Sequence, residues 1–319
     1  MACGEKTVIV YILKDGLGNQ LFEYSYAKKL AARTGDDIAF CTYLYRLGNF
    51  SLGGTRHCSL EHFSLPEDVR VLKGSENLRY FIKFLLRMLA VYKADFFRWF
   101  VLGKRMNRSA KYASDCRKGL YVSDGAFVVP PYVESRKRNK FVFGNYEGFD
   151  ALPENVAELK KELSVSDKPT PENAAMLDRI AGTEAVCLHI RRGDYLKDVN
   201  SWLKVCDYDY YRRAVEYIKQ KIENPVFYVF SNTSDDLEWI KENYRFDADL
   251  VYVNLDNPDY EELRLMSACR HFIISNSTFS WWAAVLGDHD DKITVAPEKW
   301  SNRENDGSEG MFNDEFTKI

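Results

Sequence analysis

The chain has 319 residues, of which 46% are apolar and 29% charged, and its net charge is −3. That length allows two ordinary domains, and the lack of a basic excess argues against nucleic acid as a partner. Seven cysteines occur without a C-x-x-C spacing, and the N-terminal sequence MACGEKTVIVYIL lacks the apolar stretch of a signal peptide. We therefore expect reduced thiols and a cytoplasmic protein.

The first 44 residues predict a β-α-β unit. Residues 7–12, TVIVYI, form a β-branched run that is typical of a buried parallel strand. A tight DGLGNQ sequence then leads into a helical stretch with Gly35 as its stop. The next strand is predicted in DIAFCTYL.

A basic, aromatic region covers residues 76–118. From Arg70 to Lys118 the sequence has 13 Lys and Arg residues against three acidic ones. Charges interrupt its apolar runs every few residues, which excludes a transmembrane span. Two interpretations stay open: a helical insert packed on the first domain, or a surface that touches anionic lipid or a lipid-linked substrate.

The second half alternates strands with helices. We predict strands at 185–190, 226–231, 249–254, 271–276 and 292–297, and helices at 207–222, 234–244, 259–269 and 277–287. Such βα units with apolar strands favour a parallel, doubly wound sheet. The whole chain is thus expected to be an α/β protein of two Rossmann-like domains facing a cleft. The predicted boundaries are 1–155 with the insert at 76–118, 156–300, and a tail at 301–319.

Polar residues follow three of the predicted strands in the second half. Ligands of parallel sheets bind beyond the carboxyl ends of the strands, so these residues are the candidates for a site. They are His189, Arg191, Arg192 and Asp194 at or after the end of the first strand, Ser231, Asn232 and Thr233 at or after the end of the second, and Ser275, Asn276, Ser277 and Thr278 at or after the end of the fourth.

These residue types fit an anion such as a diphosphate. A guanidinium grips two phosphate oxygens in a fork, and a helix that begins near Ser277 offers free N–H groups. Taken alone, HIRRGDY also fits a strand-end salt bridge and SNSTFSWW an ordinary helix cap. The chain has no GxxxxGK[ST] loop, and DGLGNQ lacks the third glycine of a dinucleotide fingerprint.

The sequence DYD at 207–209 has the D-x-D spacing that many metal-dependent glycosyltransferases use. It opens a predicted helix, where acidic residues are favoured by the helix dipole, and we interpret it as a cap. No His/Cys cluster has metal-ligand spacing. The sequence therefore predicts no metal and no cofactor.

Taken together, these motifs resemble the α-1,2-fucosyltransferases of glycosyltransferase family 11, of the bacterial type. GLGNQLFEYSYAKKLA is similar to the N-terminal motif of that family, HIRRGDY to its H-x-R-R-x-D donor motif and SNSTFSWWAA to its C-terminal motif. FGNYEGF at 143–149 is more loosely similar to an aromatic G-Y-x-Q segment. The insert has no counterpart in the motifs of the family.

The resemblance implies a GT-B fold and metal-free, inverting transfer of fucose from GDP-β-L-fucose to the 2-OH of a terminal β-galactoside. Arg191 would bind the β-phosphate and, with Asp194, serve catalysis. The implied donor-binding residues are His189, Arg191, Asp194, Ser231, Asn276, Ser277 and Thr278, and the implied acceptor-side residues are Gly16, Gly18, Asn19 and Gln20.

The alternatives are a transferase for another GDP-sugar, acceptor or linkage and, as the weakest, a nucleotide- or glycan-binding module without turnover. Attack by the acceptor hydroxyl needs a base, for which Asp194, Glu147 and Asp15 are candidates. The expected location is the cytoplasm, or the inner face of the cytoplasmic membrane if the insert touches lipid.

Overall fold

Two units, each built on a parallel β-sheet, make up the computed structural model of the chain. One comprises Met1–Glu61 and Leu65–Glu162, and the other His62–Ser64 and Leu163–Ile319. The structure describes residues 7–48, 56–93, 95–97, 109–123, 125–196 and 198–319; at 109, 194, 196 and 198–200 it describes the backbone only.

The described part of the first unit has a five-stranded parallel sheet in the order β3-β2-β1-β5-β4. Its strands are β1 (Val8–Ile12), β2 (Asp37–Cys41), β3 (Val69–Val71), β4 (Leu120–Val122) and β5 (Asn139–Phe143). Its helices are α1 (Leu17–Thr34), α2 (Tyr43–Arg46), α3 (Gly74–Tyr92), α4 (Tyr112–Arg117) and α5 (Val156–Glu162).

The predicted β-α-β start is confirmed by β1, α1 and β2. Every residue of β1 is buried, and the strand pairs on one side with β2 and on the other with β5. Helix α1 ends where predicted, at Gly35, which adopts the left-handed conformation (φ 67°) that glycine adopts without steric cost. The three later strands were not predicted, and two of them, β3 and β4, have only three residues each.

The described part of the predicted insert contains two helices, α3 and α4. Residues 94 and 98–108 of the insert lie outside the described residues. Helix α3 begins at Gly74 and packs one apolar face on the sheet. Its opposite side exposes four large aliphatic side chains, Leu78, Ile82, Leu86 and Leu89. In the part of the chain that the structure describes, no helix has the length and apolar character needed to span a membrane.

The second unit has a six-stranded parallel sheet in the order β11-β10-β9-β6-β7-β8. Its strands are β6 (Glu184–His189), β7 (Pro225–Phe230), β8 (Asp249–Tyr252), β9 (His271–Ile273), β10 (Thr294–Ala296) and β11 (Phe316–Lys318). Its helices are α6 (Pro171–Ala181), α7 (Tyr208–Lys221), α8 (Ser234–Asn243), α9 (Asp259–Ser267) and α10 (Thr278–Leu286).

The predicted alternation of strands and helices after residue 183 is confirmed element by element. The tail predicted at 301–319 differs, because its last residues form β11 and pair with β10. The aromatic rings of Trp300, Phe312 and Phe316 pack in series and hold this segment on the unit. The unit boundary also falls after Glu162 rather than at 155.

Candidate active site

Three polar strand ends lie next to each other in the second unit. Strand β6 has β9 on one side and β7 on the other, so the residues that follow these strands share one edge of the sheet. This edge carries His189, which is the last residue of β6, together with Ser231 and the segment from Ser275 to Thr278. The sheet order therefore brings the predicted donor-binding residues of three separate segments to one edge.

His189 is a buried, neutral side chain at this edge. Its Nδ1 lies 3.0 Å from Oγ of Ser275, which is itself fully buried. Burial, reinforced by the charge of Arg191, lowers the pKa of His189 to about 3. The imidazole thus carries no charge near neutral pH and connects the ends of two neighbouring strands.

Arg191 is held by two neighbouring groups. With its amide oxygen toward the guanidinium, Asn232 accepts from Nε and Nη1 of Arg191, 3.1 Å from each. The guanidinium carbon also lies 5.2 Å from the ring centroid of Tyr195, whose hydroxyl donates to the Asn276 carbonyl at 2.8 Å. Gly193 permits this arrangement, because its φ of 37° disfavours a side chain and a Cβ there would crowd Asn232.

Arg192 has a different environment from Arg191. Its guanidinium carbon lies 3.2 Å from the ring centroid of Trp239, and its Nε lies 3.5 Å from Asp236 Oδ1. Both partners belong to α8. Arg192 thus stacks on that helix and pairs with it, which leaves Arg191 as the arginine of this motif that fits anion binding.

The N-terminus of α10 completes the edge. Ser277 is the N-cap residue, and within the described part of the chain its hydroxyl makes no capping hydrogen bond. The side chain is 5% exposed, and Thr278 follows in the first turn. The amide dipoles of this nine-residue helix favour an anion at that end.

Asn276 and Ser231 make internal hydrogen bonds. The Asn276 amide nitrogen donates to the carbonyls of Leu203 and Trp300, 2.9 Å each, and its oxygen accepts from the Cys206 thiol at 3.6 Å. The Ser231 hydroxyl donates to the Ile190 carbonyl at 2.9 Å. Both side chains therefore hold the loops that carry the site, and their direct contact with a donor stays a prediction.

The side chain of Asp194 lies outside the described residues, so its predicted catalytic role stays a prediction.

Glu262 on α9 is a site residue that the sequence analysis did not predict. Burial and the charge of Asp259 raise its pKa to about 7, and Arg191 opposes that rise. Glu262 lines a polar pocket beyond β7 and β8 together with Asn232, Asn254 and Asp256. The acidic start of DYEELRLM was the only sequence signal for it.

The D-x-D sequence forms a helix N-terminus. The Asp207 side chain accepts from the Tyr210 amide at 2.9 Å, as a cap does. Exposed Asp209 pairs with Arg212 and Arg213 one turn further on. Among the described residues, no group of three or more His, Cys, Asp and Glu side chains is arranged to hold a metal ion.

The motif residues of the first unit form the start of α1. Gly16 is the N-cap residue, and a Cβ there would lie 2.8 Å from Nη1 of Arg56. The buried Gln20 amide donates to the carbonyls of Asp15 and His57 at 2.9 and 2.7 Å, and accepts from the Ser59 amide at 2.9 Å. Gln20 thus secures the loop at 57–59.

Asn19 and Gly18 lie beside Gln20 in the first turns of α1. The Asn19 amide lies 3.4 Å from Oδ2 of Asp15, and Gly18 is buried. These two residues, like Gly16 and Gln20, keep their acceptor-side role as a prediction.

A family profile decides the classification of the chain: the profile described as Glycosyl transferase family 11 matches residues 146–319. An Escherichia coli protein named alpha-1,2-colitosyltransferase is 31% identical over 93% of this chain and 94% of its own. The chain belongs to glycosyltransferase family 11. The family predicted from the motifs is confirmed, and this family 11 chain is an enzyme that transfers a sugar.

Two further proteins are similar to this chain, one in sequence and one in structure. The rat galactoside alpha-(1,2)-fucosyltransferase 2 is 31% identical over 42% of this family 11 enzyme and 40% of its own length. The solved structure of fucosyltransferase NodZ from Bradyrhizobium matches with a TM-score of 0.50 at 12% identity, covering 88% of this chain and 93% of that chain. The latter supports the fold, and the predicted pair of Rossmann-like domains is confirmed.

Proposed function

We propose that this enzyme transfers L-fucose from GDP-β-L-fucose to the 2-OH of a terminal β-galactoside on an oligosaccharide or surface glycan, with inversion and without a metal ion. The observation that carries the proposal is the placement of Arg191. Asn232 and Tyr195 fix its guanidinium at the sheet edge that also carries the start of α10. Membership of family 11 supplies the reaction type.

The charges at this edge suit departure of a nucleoside diphosphate. When the bond from fucose to the diphosphate breaks, negative charge grows on GDP and positive charge on the anomeric carbon. Groups that already point at the growing charge stabilise the transition state without reorganising. Arg191 supplies a fixed cation that can bind the β-phosphate, and the first amides of α10 supply dipoles.

The other donor-side residues have supporting roles in this proposal. Ser277 and Thr278 offer hydroxyls at the helix start, where phosphate or fucose oxygens would bind. Neutral His189 lines the donor pocket without adding charge. Asn276 and Ser231 hold the loops that carry the site. Asp194 is assigned to donor binding because it is the acidic residue of HIRRGDY, the sequence that resembles the donor motif of the family.

An acceptor array tests the proposal. The purified enzyme is incubated with radiolabelled GDP-fucose and lactose, type 1 and type 2 disaccharides, or Galβ1-3GalNAc, with and without EDTA. We expect label on at least one β-galactoside, in α-1,2 linkage by methylation analysis, and no effect of EDTA. Label in another linkage would refute the 2-OH assignment, and turnover that EDTA abolishes and Mn²⁺ restores would refute metal independence.

A second donor has a specific observation in its favour, because the relative that matches 93% of this chain is named a colitosyltransferase. Colitose is fucose without the 3-hydroxyl. A site that hydrogen-bonds this hydroxyl rejects a donor lacking it by a factor of about 10⁴ or more. Comparison of kcat/KM for GDP-fucose, GDP-colitose and GDP-mannose on one acceptor therefore identifies the donor.

We also propose that α3 contacts an anionic lipid surface, where a lipid-linked acceptor would be presented. Leu78, Ile82, Leu86 and Leu89 follow helical spacing and are between 38% and 60% exposed. Exposed basic residues flank this strip, namely Lys73, Arg79, Lys83 and Lys93. An apolar strip bordered by cations suits the headgroup region of an anionic membrane.

A further inference from the structure

The polar pocket beyond β7 and β8 lies on one side of Arg191, and the start of α10 lies on the other. Arg191 follows β6, which has β9 and then α10 on one side and β7 and β8 on the other. Neighbouring strands are about 4.8 Å apart, so the pocket is one to two strand spacings from β6. A nucleoside diphosphate whose phosphates bind at Arg191 and α10 can therefore extend its nucleoside into this pocket.

Asn232 connects the pocket to Arg191. Its amide oxygen accepts from Nε and Nη1 of Arg191, 3.1 Å from each, and the same residue lines the pocket. The other lining residues are 231, 233–234, 237 and 253–257, together with Glu262 from α9. The pocket has a volume of about 80 Å³, which is room for the edge of a planar ring rather than for a whole nucleoside.

Glu262 differs from the other polar residues of the pocket because its carboxyl has no partner. The Ser234 hydroxyl donates to Asn254 Oδ1 at 2.7 Å, and Asn257 exchanges two hydrogen bonds of 2.9 Å with Asn173. Within the described residues, partly buried Glu262 makes no hydrogen bond and no ion pair. Buried polar groups are nearly always hydrogen bonded, so this carboxyl is available to a ligand.

Ionisation of Glu262 is costly as long as the pocket is empty of donors. Burial first, and then the charge of Asp259, raise its pKa to about 7, against the opposing charge of Arg191. A ligand that donates hydrogen bonds to the carboxylate favours the ionised form. Asp256, the other carboxyl of the pocket, is exposed and carries no comparable cost.

A carboxylate without a partner discriminates among the nucleobases. It offers two acceptor oxygens and no donor. Guanine presents its N1–H and its 2-amino group side by side, so that both oxygens are matched at once, and hydrogen bonds to an ionised acceptor are the strong ones. Adenine and cytosine place an acceptor nitrogen beside the amino group, and uracil flanks its single N–H with two carbonyls. Guanine is therefore the base that fits.

We propose that Glu262 binds the N1–H and 2-amino groups of guanine and makes the donor site specific for a guanine nucleotide. This inference rests on the proposed function, from which it takes the position of the diphosphate at Arg191. It adds the residue that recognises the base.

The first test is calorimetry of the full chain with GDP, inosine diphosphate and xanthosine diphosphate. Inosine lacks the 2-amino group, and xanthosine has a carbonyl in its place. We expect inosine diphosphate to bind about tenfold more weakly than GDP, because one hydrogen bond to a charged acceptor is lost. Xanthosine diphosphate should bind more weakly still, since its 2-carbonyl would face the carboxylate. Equal affinities for GDP and inosine diphosphate overturn the proposal.

The second test repeats the titrations with Glu262→Gln. The glutamine oxygen still accepts from N1–H, and its amide nitrogen now donates to the 2-carbonyl of xanthine. GDP should bind about 10- to 100-fold more weakly than to the wild type, and xanthosine diphosphate should bind more tightly than GDP. A damaged fold would weaken both nucleotides, so this reversal identifies a contact with the base.

Glu242→Gln, the same change at an exposed position of α8, is the control and should keep the wild-type order of affinities. A Glu262→Gln variant that still prefers GDP to xanthosine diphosphate overturns the proposal.

The inference and the proposed function fail separately. A chain that recognises guanine through Glu262 but transfers no fucose contradicts the proposed function alone. A chain that transfers fucose but binds GDP and inosine diphosphate equally contradicts the inference alone. A chain that binds no guanine nucleotide contradicts both.

Discussion

Nδ1 of His189 and Oγ of Ser275 lie 3.0 Å apart, and this contact joins the last residue of β6 to the segment that follows β9. Both side chains are buried, so their contact helps to hold in place the sheet edge that carries Arg191 and the start of α10. A rigid edge matters for catalysis because prearranged dipoles and charges need no reorganisation as the leaving group departs.

Arg191→Lys should abolish most of the activity and leave the fold intact. A lysine can supply the charge but not the fork that binds two oxygens, and it cannot keep both bonds to Asn232. The loss of a charge-assisted bond of about 1.5–3 kcal/mol predicts a fall in kcat/KM of about 10- to 100-fold. Steady-state kinetics on the variant, with an unfolding temperature beside them, provide the measurement.

Arg192→Lys is the matched control for that experiment. Arg192 stacks on Trp239 and pairs with Asp236. Its replacement should therefore lower the unfolding temperature, and it should lower kcat/KM much less than Arg191→Lys does. Equal kinetic losses in the two variants would contradict the separate roles of these neighbouring arginines.

His189→Gln should reduce the acid sensitivity of stability. The pKa of His189 is about 3 in the folded chain and about 6.5 in an unfolded one. Between these values the unfolded state binds a proton that the folded state does not, so the free energy of unfolding falls as pH falls below about 6.5. The contribution reaches about 1.4 kcal/mol for each pH unit.

Urea denaturation at pH 7.5 and pH 5 measures this effect. The loss of stability between the two pH values should be smaller in His189→Gln than in wild type. The exposed residue His289 provides the control, and His289→Gln should behave as wild type. Parallel losses in all three proteins would show that His189 does not take part.

Lys140→Met should destabilise the first unit strongly. Lys140 Nζ lies 2.5 Å from Asp36 Oδ2, and both side chains are buried. Removal of the lysine leaves the aspartate buried without its counter-charge, which typically costs about 3–5 kcal/mol. Chemical denaturation, monitored by fluorescence, measures the loss.

Lys73→Met is the comparison for Lys140→Met. Lys73 pairs with Glu61 at 2.7 Å, but both side chains are well exposed, and exposed pairs contribute little to stability. If Lys73→Met loses as much free energy of unfolding as Lys140→Met does, burial does not determine how much an ion pair contributes to stability.

The double variant Ile82→Glu and Leu86→Glu should lose binding to anionic vesicles. Both side chains lie on the exposed strip of α3, and burial of each in lipid contributes about 2 kcal/mol. Co-sedimentation with phosphatidylglycerol-phosphatidylcholine vesicles should therefore show more than tenfold weaker binding. Leu47→Glu, at an exposed leucine outside α3, should bind as wild type does.

High salt should also weaken the binding of the wild type, because the flanking lysines and arginines act through screened charge. No measurable binding of the wild type to anionic vesicles, or binding that the double variant retains, would refute the proposed membrane surface.

The sequence predicts well where a pattern is long and local. The elements from β6 to β10 follow from apolar runs broken by helical periodicity, and Asp207 is a cap because it opens a helix. Arg191 and Arg192 are alike in sequence, and only the position of Trp239, far along the chain, separates their roles.

What the sequence could not predict depends on burial and on contacts between distant segments. Glu23 lies in an ordinary helical pattern, and nothing local shows that its carboxyl is fully buried. Glu147 acquires its raised pKa from burial and from Asp15, which is 132 positions earlier in the chain. Strand β11 has only three residues, too few for periodicity to reveal, and forms because β10 offers it an edge.

Asn276 begins an Asn-Ser-Thr sequence that oligosaccharyltransferases recognise. Its amide nitrogen uses both hydrogens to bind the carbonyls of Leu203 and Trp300, and the residue is 2% exposed. A glycan on that nitrogen would replace one of these hydrogens and would find no path to solvent. Recombinant production through a secretory pathway would therefore set glycosylation against folding at this residue, and expression in a cytosol avoids the conflict.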